Sequence, residues 1–200
     1  YISKPWDEED LVLTITTGLR SYYDQKALLK QECYQRILNQ ILQLVITTVS
    51  FEEQLSQALN IILSTRCFTS LTKGSIYTVD LEQADLEWST KAQPNLVLIS
   101  QVNEGVVPEK QFAQPEIDQH VELITEAPGI SYYRAPIILQ GQVVGMLFIY
   151  TDKTQDDGPQ IREFLSSVCH TLAGMIRISQ YNRALEKHSR ELESLVEKRT

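Results

Sequence analysis

The sequence predicts an α+β fold in which helices at both ends of the chain flank an antiparallel sheet. Helical spacing of apolar residues fills the first sixty or so positions, strand-like alternation fills the middle, and a long segment without helix breakers closes the chain. This order, without strand–helix–strand alternation, favours an antiparallel sheet of about six strands. We expect the N- and C-terminal helices to pack on one face of that sheet and to extend beyond it as coiled coils.

The first helix is predicted from residue 7 to about residue 48, a stretch with no proline and only one glycine. Its apolar stripe consists of Leu11, Ile15, Leu19, Tyr22 and Leu29, and a second apolar stretch covers residues 34–45. A helix of about forty residues, with a joint allowed near Gln25, is longer than one small core needs. The length therefore predicts a partner helix.

A second helix is predicted to start at Ser50, because Ser50-Phe51-Glu52-Glu53 has the spacing of a capping box. Its buried side is expected to carry Leu55, Leu59, Ile62 and Leu63.

The middle of the chain changes to the period of a strand. Alternation predicts strands at 75–80 and 86–91, while the apolar segment 96–102 fits either a strand or a short helix. Residues 103–131 are rich in proline and glycine and therefore predict loops. Within them we expect a short edge strand at 111–113 and a short helix at 116–125.

A β-hairpin is the clearest prediction. Its arms are residues 132–139 and 143–151, and Gly141 supplies the turn. Gly145 interrupts the second arm, which predicts a bulge or a close backbone approach.

The last helix is expected to begin at Pro159 and to run to the end without a breaker. Its first half has a wide apolar face made of Phe164, Leu165, Val168, Leu172, Met175 and Ile176. In its second half Leu185, Leu192 and Arg199 recur at heptad spacing, which predicts a short seam leaving the domain.

Charge and cysteine content narrow the class of protein. Eighteen basic against 26 acidic residues give a net charge of −8, which disfavours nucleic acid and an anionic membrane surface as partners. No apolar run approaches the roughly 18 residues of a membrane span, and acidic residues 7–10 exclude a signal peptide there. The three cysteines form no disulfide or metal-binding pattern. We therefore expect reduced thiols, no metal and a cytoplasmic location.

Two separated motifs resemble the GAF family. The segments "EEQLSQALNIILS" and "LTKGSIYTVD" resemble its N-terminal half, while "YYRAPIILQGQVVGMLFIY" and "IREFLSSVCHTLAGMI" resemble its C-terminal half. The likeness covers about residues 36–180. It implies a six-stranded, PAS-like sensory fold, a small-molecule pocket between the sheet and its loop-rich side, and a parallel homodimer through the terminal helices.

The two ends of the chain resemble other signalling segments. "YISKPWDEEDLVLTITTGLRSYY" resembles the end of a response-regulator receiver domain, in which the lysine before proline contacts a phosphorylated aspartate. Lys4 and Pro5 match that motif without the rest of the receiver, so the chain is interpreted as an excised fragment. "LESLVEKRT" resembles the linker ahead of a histidine kinase, cyclase or further sensor. The expected divisions are 1–48, receiver remnant and linker helix; 49–178, GAF domain; and 179–200, coiled-coil exit.

Candidate ligand-binding residues are few, and no catalytic residue is assigned. The cysteine and histidine motifs of a similar GAF subgroup are missing here, and so is the signature of cyclic-nucleotide binding. The cofactor is therefore unknown. Candidates to line a pocket are Trp88, Phe112, His120, Tyr133 and Arg134. Strand alternation prevents Tyr133 and Arg134 from both facing inward without a bulge, and Tyr133 is preferred. The alternative is that the aromatic side chains only pack the sheet.

The functional prediction is a non-catalytic sensory or relay module of a two-component protein. A receiver upstream or a small-molecule ligand would change the dimeric helices and thereby bias an output domain downstream. One alternative is a dimerisation spacer without a ligand. Another is a cysteine-based redox enzyme, which the distant cysteine positions disfavour.

Overall fold

The computed structural model describes residues 7–64, 71–79, 96–103, 120–127, 130–151 and 159–197. The chain divides into two compact units, Tyr1–Arg36 and Ile37–Thr200. The elements, in chain order, are α1 (Glu8–Leu44), α2 (Phe51–Ser64), β1 (Leu71–Val79), β2 (Leu96–Val102), β3 (Glu122–Ala127), β4 (Ile130–Leu139), β5 (Gln142–Thr151) and α3 (Pro159–Glu197).

Helix α1 is a single helix of 37 residues, with no break at Gln25. It begins where Asp7 caps it: the Glu9 amide donates to Asp7 Oδ1 at 3.1 Å, and acidic side chains fill the first turn, where the helix dipole favours them. It ends at Leu44, a few residues before the predicted end, and Ile37 and Ile41 are its buried residues.

Helix α2 begins after the predicted cap. The Glu53 amide donates to Ser50 Oγ at 3.2 Å, which satisfies one of the amides that a helix start leaves unpaired. The Glu53 carboxylate accepts a hydrogen bond from Gln57 Nε2 at 3.0 Å. Leu55, Leu59 and Ile62 are fully buried where α2 packs on β1 and β2.

The strands form one antiparallel sheet in the order β2-β1-β5-β4-β3, so the predicted α+β class is confirmed. Segment 96–102 is a strand, which decides between the two alternatives left by the sequence. The helix predicted at 116–125 is wrong for the residues that the structure describes, because 122–127 pairs with β4 as β3. Cross-strand pairing outweighs a weak local preference here. The strands predicted at 86–91 and 111–113 lie outside the described residues.

The β4–β5 hairpin forms as predicted, with each arm starting one or two residues earlier than expected, and it has a tight turn. Gln140 and Gly141 have φ angles of 52° and 80°, the left-handed values that a two-residue type I′ turn requires. The pairing then shifts between Ile137↔Gly145 and Ile138↔Val143, leaving Val144 as the extra residue of a bulge. A Cβ on Gly145 would lie 2.6 Å from the Tyr77 carbonyl oxygen, so the bulge and the close approach both occur.

The register assigns each strand residue to one of two faces. Gly74 of β1 lies on the side that meets the helices, because a Cβ built on it would lie 2.8 Å from Leu59 Cδ1 of α2. Gly74 pairs with Ile149 of β5, and Ile149 pairs with Tyr133 of β4, so these residues lie on the same side. We call this side the helix face. The other side carries Tyr77, Tyr132, Met146 and Phe148, which among the described residues cluster with residues of the strands, and we call it the aromatic face. Helix α3 packs on β4 and β5, beside α2 on β1 and β2.

Helix α3 changes character along its 39 residues. It starts at Pro159 as predicted, and all six residues of the predicted apolar face are buried. Its second half exposes Tyr181, Leu185 and Leu192. Among the residues that the structure describes, every helix is too short or too polar to cross a bilayer.

The Gly145 contact gives a stability prediction. Gly145→Ala should lower the free energy of unfolding by about 1–3 kcal/mol, because the new methyl group meets a fixed carbonyl. Gly174→Ala is the matched control: nothing lies within 4 Å of that Cβ, so alanine should raise stability by about 0.5–1 kcal/mol through its helix propensity. Urea denaturation checks both, and equal effects of the two variants would contradict the register at Gly145.

Candidate ligand-binding site

Four buried residues from three strands form the centre of the aromatic face: Tyr77 of β1, Tyr132 of β4, and Met146 and Phe148 of β5. The rings meet edge to face, with centroids 5.7 Å apart for Tyr77 and Phe148 and 5.8 Å apart for Tyr132 and Phe148. Such geometry is the favoured one for aromatic pairs. The partly buried residues that extend the cluster are Leu96, Ile124, Val143 and Tyr150.

Alternation along paired strands explains why these side chains meet. Tyr132 lies opposite Tyr150, and Tyr77 lies opposite Met146. Residues two apart on a strand share a face, so Phe148 joins Met146 and Tyr150 on β5. The cluster is therefore a consequence of the β4–β5 register and of the pairing of β1 with β5.

One ion pair lies on the same face beside the rings. Arg134 is the residue opposite Phe148 on one side and Glu122 on the other. Arg134 Nη2 contacts Glu122 Oε2 at 2.7 Å, and the two side chains are 15% and 34% exposed. The aromatic face thus combines a buried apolar cluster with a cation and a carboxylate at its margin.

The structure separates the residues that the sequence proposed as ligand-binding. Tyr133 is 1% exposed and lies on the helix face, whereas Arg134 lies on the aromatic face. His120 is exposed, two residues before β3. Trp88 and Phe112 lie outside the described residues, as do Lys4 and Pro5 of the receiver motif.

Sequence reasoning missed Phe148, Tyr150 and Glu122. Alternation along β5 was visible, but the face of each residue depends on its register with β4 and hence on the bulge at Val144. Glu122 was missed because its segment was expected to be helical. Once β3 is known to pair with β4, the direct opposition of Glu122 and Arg134 follows.

The cysteines give no support for a reactive thiol among the described residues. Cys33 is disulfide-bonded in the structure, so the expectation of three reduced thiols is wrong. Cys169 is a buried free thiol whose Sγ donates to the Ala135 carbonyl at 3.6 Å. Burial raises the pKa of the Cys169 thiol far above its usual range, and a nucleophile needs the thiolate. The described residues also contain no group of three side chains suited to a metal ion.

Comparison with solved structures identifies the fold. A phycoerythrobilin-bound GAF domain from a cyanobacterial phytochrome superposes with a TM-score of 0.57 at 12% identity, over 76% of this chain and 99% of that one. The GAF domain of a phosphoenolpyruvate-protein phosphotransferase from Coxiella burnetii gives 0.53 at 16% identity, over 76% and 96%. The fold is that of a GAF domain.

A further GAF-fold neighbour is an enzyme. The free methionine-R-sulfoxide reductase from Neisseria meningitidis, solved with its substrate, gives a TM-score of 0.52 at 14% identity, over 74% of this chain and 91% of that one. No family model and no curated protein matches the sequence. Identities this low establish the fold, and proteins of different activity share it, so the function has to be argued from the residues of this chain.

The burial of Cys169 predicts its reactivity. In the folded protein at pH 8, iodoacetamide should leave Cys169 unmodified, because the thiol is 3% exposed and its raised pKa keeps it protonated. Peptide mapping by mass spectrometry should show full alkylation of Cys169 only after denaturation. Rapid alkylation of the native protein would contradict the packing of α3 on β4.

Proposed function

We propose that this chain is a non-catalytic sensory and relay module of a two-component signalling protein. A phosphorylation signal from upstream or a small-molecule ligand changes the helices of a dimer, and an output domain downstream responds. The observation that carries the proposal is the continuity of α3. One uninterrupted helix forms the core of the GAF fold in its first half and leaves that core in its second half.

The exposed half of α3 has the spacing of a coiled-coil seam. Ile178, Tyr181, Leu185 and Leu192 are 44–67% exposed, and their steps of three, four and seven residues match heptad positions. A second copy of the same chain would supply an equivalent stripe, and a twofold axis running along the helices would pair them in parallel. A shift of α3 against the sheet would be transmitted directly into that seam.

Helix α1 carries a comparable stripe of its own. The stripe follows heptad steps and consists of Ile15, Leu19, Tyr22 and Leu29, which are 52–60% exposed. Lys26 occupies the heptad seam position between Tyr22 and Leu29. A lysine at a single seam position selects register and oligomeric state at some cost in stability. These features support a parallel homodimer through the terminal helices.

An ion pair links the start of α2 to the exposed part of α3. Arg183 Nη2 contacts Glu52 Oε1 at 3.1 Å, with side chains 43% and 52% exposed. Glu52 is in the first turn of α2, just after the chain leaves α1. The contact gives a route by which movement at the α1–α2 junction biases the exit helix.

The aromatic face supports the ligand half of the proposal. Its rings and the Arg134 guanidinium suit a small acidic or planar molecule. In the full arrangement that we propose, residues 1–48 are the receiver remnant and linker helix, with Lys4 and Pro5 at the receiver edge. Residues 49–178 are the GAF domain, and residues 179–200 lead to a kinase, cyclase or further sensor in the cytoplasm.

Two alternatives remain distinguishable by experiment. A dimerisation spacer would have the same helices but would bind no small molecule on the aromatic face. A cysteine-based redox enzyme draws support from the reductase that shares the fold, but the buried Cys169 is a poor nucleophile, and Cys67 lies outside the described residues.

The seam predicts an effect of charge on dimerisation. Leu185→Lys with Leu192→Lys should convert the dimer to a monomer at micromolar concentration, because four lysines would face each other in an apolar seam. Sedimentation velocity measures the outcome. Glu186→Lys with Glu193→Lys is the matched control, since those exposed residues lie off the stripe and have the same spacing. A wild-type chain that sediments as a monomer would overturn the dimer proposal.

The Glu52–Arg183 contact is tested by a double-mutant cycle on thermal stability. Glu52→Arg and Arg183→Glu should each destabilise the fold, and the charge-swapped double variant should recover most of the loss. The coupling expected for so exposed a pair is about 0.2–1 kcal/mol. The pair Arg190–Glu186, at 3.8 Å within α3, is the control and should couple more weakly. A coupling energy of zero would remove this contact from the relay.

A further inference from the structure

We propose that Glu122 is an internal competitor for the ligand of the aromatic face. It neutralises Arg134 in the resting state, and a small carboxylate with a planar apolar body binds by replacing it. This inference rests on the ligand-sensing half of the proposed function. It adds the chemical class of the ligand and a residue that sets its affinity.

The ion pair joins one firmly held group to one that is easily released. Arg134 is on β4, which has strand neighbours on both sides, and its side chain is 15% exposed. Glu122 is at the start of β3, the outermost of the described strands on that side, and its side chain is 34% exposed. Turning Glu122 into water therefore leaves its charge solvated, whereas Arg134 remains on the sheet and needs another anion.

The Arg134 guanidinium can donate more hydrogen bonds than Glu122 accepts from it. The Glu122 contact joins Arg134 Nη2 to a single carboxylate oxygen, and the structure records no other hydrogen bond of Arg134 to the described residues. A free carboxylate can approach along the fork and accept two parallel hydrogen bonds, the stronger arrangement for this pair. A neutral ligand gains nothing comparable and would not displace Glu122.

The surroundings of Arg134 define the rest of the ligand. On the side away from Glu122, Arg134 lies opposite Phe148, and Tyr132 and Tyr150 continue the same face. An anion bound to Arg134 therefore has aromatic rings on one side and the displaced Glu122 on the other. Phe148 and Tyr132 are fully buried, whereas Tyr150 is only partly buried, so a planar apolar body next to the carboxylate would contact the Tyr150 ring.

Glu122 then controls affinity through charge. Its carboxylate competes for Arg134 and also repels the incoming anion, and both effects weaken binding of carboxylates without affecting neutral analogues. The acidic residue thereby sets the ligand concentration at which the module responds.

The test uses benzoate as the probe, with acetate and benzamide as comparisons, in isothermal titration of the full 200-residue chain. Glu122→Gln should bind benzoate about fivefold more tightly than wild type. Arg134→Gln should lose measurable binding, and Arg134→Lys should weaken it, because lysine keeps the charge without the fork. Acetate should bind more weakly than benzoate, and benzamide should show no response to Glu122→Gln.

Glu163→Gln is the matched control, because this exposed α3 carboxylate lies on a helix packed on the other face. It should leave benzoate affinity unchanged. Far-UV circular dichroism of each variant confirms the fold, and Arg134→Lys replaces Arg134→Gln if the latter unfolds. Equal benzoate affinity in wild type and Glu122→Gln, or binding that survives the loss of Arg134, would overturn the proposal.

The same measurements distinguish a failure of the competitor proposal from a failure of the proposed dimeric relay. If neither wild type nor Glu122→Gln binds benzoate while the chain sediments as a dimer, the internal competitor is wrong and a dimerisation spacer is favoured. If benzoate binds with the expected dependence on Glu122 while the chain is a monomer, the ligand site stands and the dimeric relay falls. Changes in amide NMR shifts confined to β3, β4 and β5 would place the bound benzoate on the aromatic face.

Discussion

The pairing of β4 with β5 is the constraint on which the rest of the domain depends. The type I′ turn at Gln140-Gly141 and the bulge at Val144 set the register, and Gly145 lets β5 approach the Tyr77 carbonyl closely. A slip of one residue would move every side chain of a strand to the other face. The aromatic cluster would then face α2 and α3, and the residues of the helix face would lie on the opposite side of the sheet.

Two apolar surfaces on opposite sides of one sheet follow from that register. The helix face is covered by α2 and the first half of α3, so its aliphatic side chains form the main core. The aromatic face carries its own buried cluster, and Arg134 lies at its margin with Glu122. A largely buried guanidinium such as that of Arg134 is stabilised by a neighbouring anion. Glu122 meets that requirement in the protein itself, and the acidic ligand that we propose would take its place.

The relay that we propose requires that the ligand-binding surface and the exit helix share a structural element. Strand β4 contributes Arg134 to the aromatic face, while the same strand packs against α3 on the other. A ligand that binds one arrangement of the sheet more tightly than another shifts the population of α3 positions by its differential affinity. The exposed stripe of α3 would transmit that shift to a second copy of the chain.

The sequence by itself determined the elements that depend on local chemistry. The cap at Ser50, the start of α3 at Pro159, the buried stripe of α3 and the hairpin turn all follow from short-range patterns, and the α+β class follows from their order. The special position of Gly145 was also evident, because glycine inside a strand needs a steric reason.

Only the tertiary structure decided matters that depend on distant pairing. Residues 122–127 have a weak local preference and become a strand because β4 offers hydrogen-bond partners. Alternation showed that Tyr133 and Arg134 point in opposite directions, but the choice of face needed the contact between Gly74 and Leu59. The disulfide of Cys33 was likewise invisible in cysteine spacing. Local periodicity fixes which residues share a side of an element, whereas packing between elements decides what that side meets.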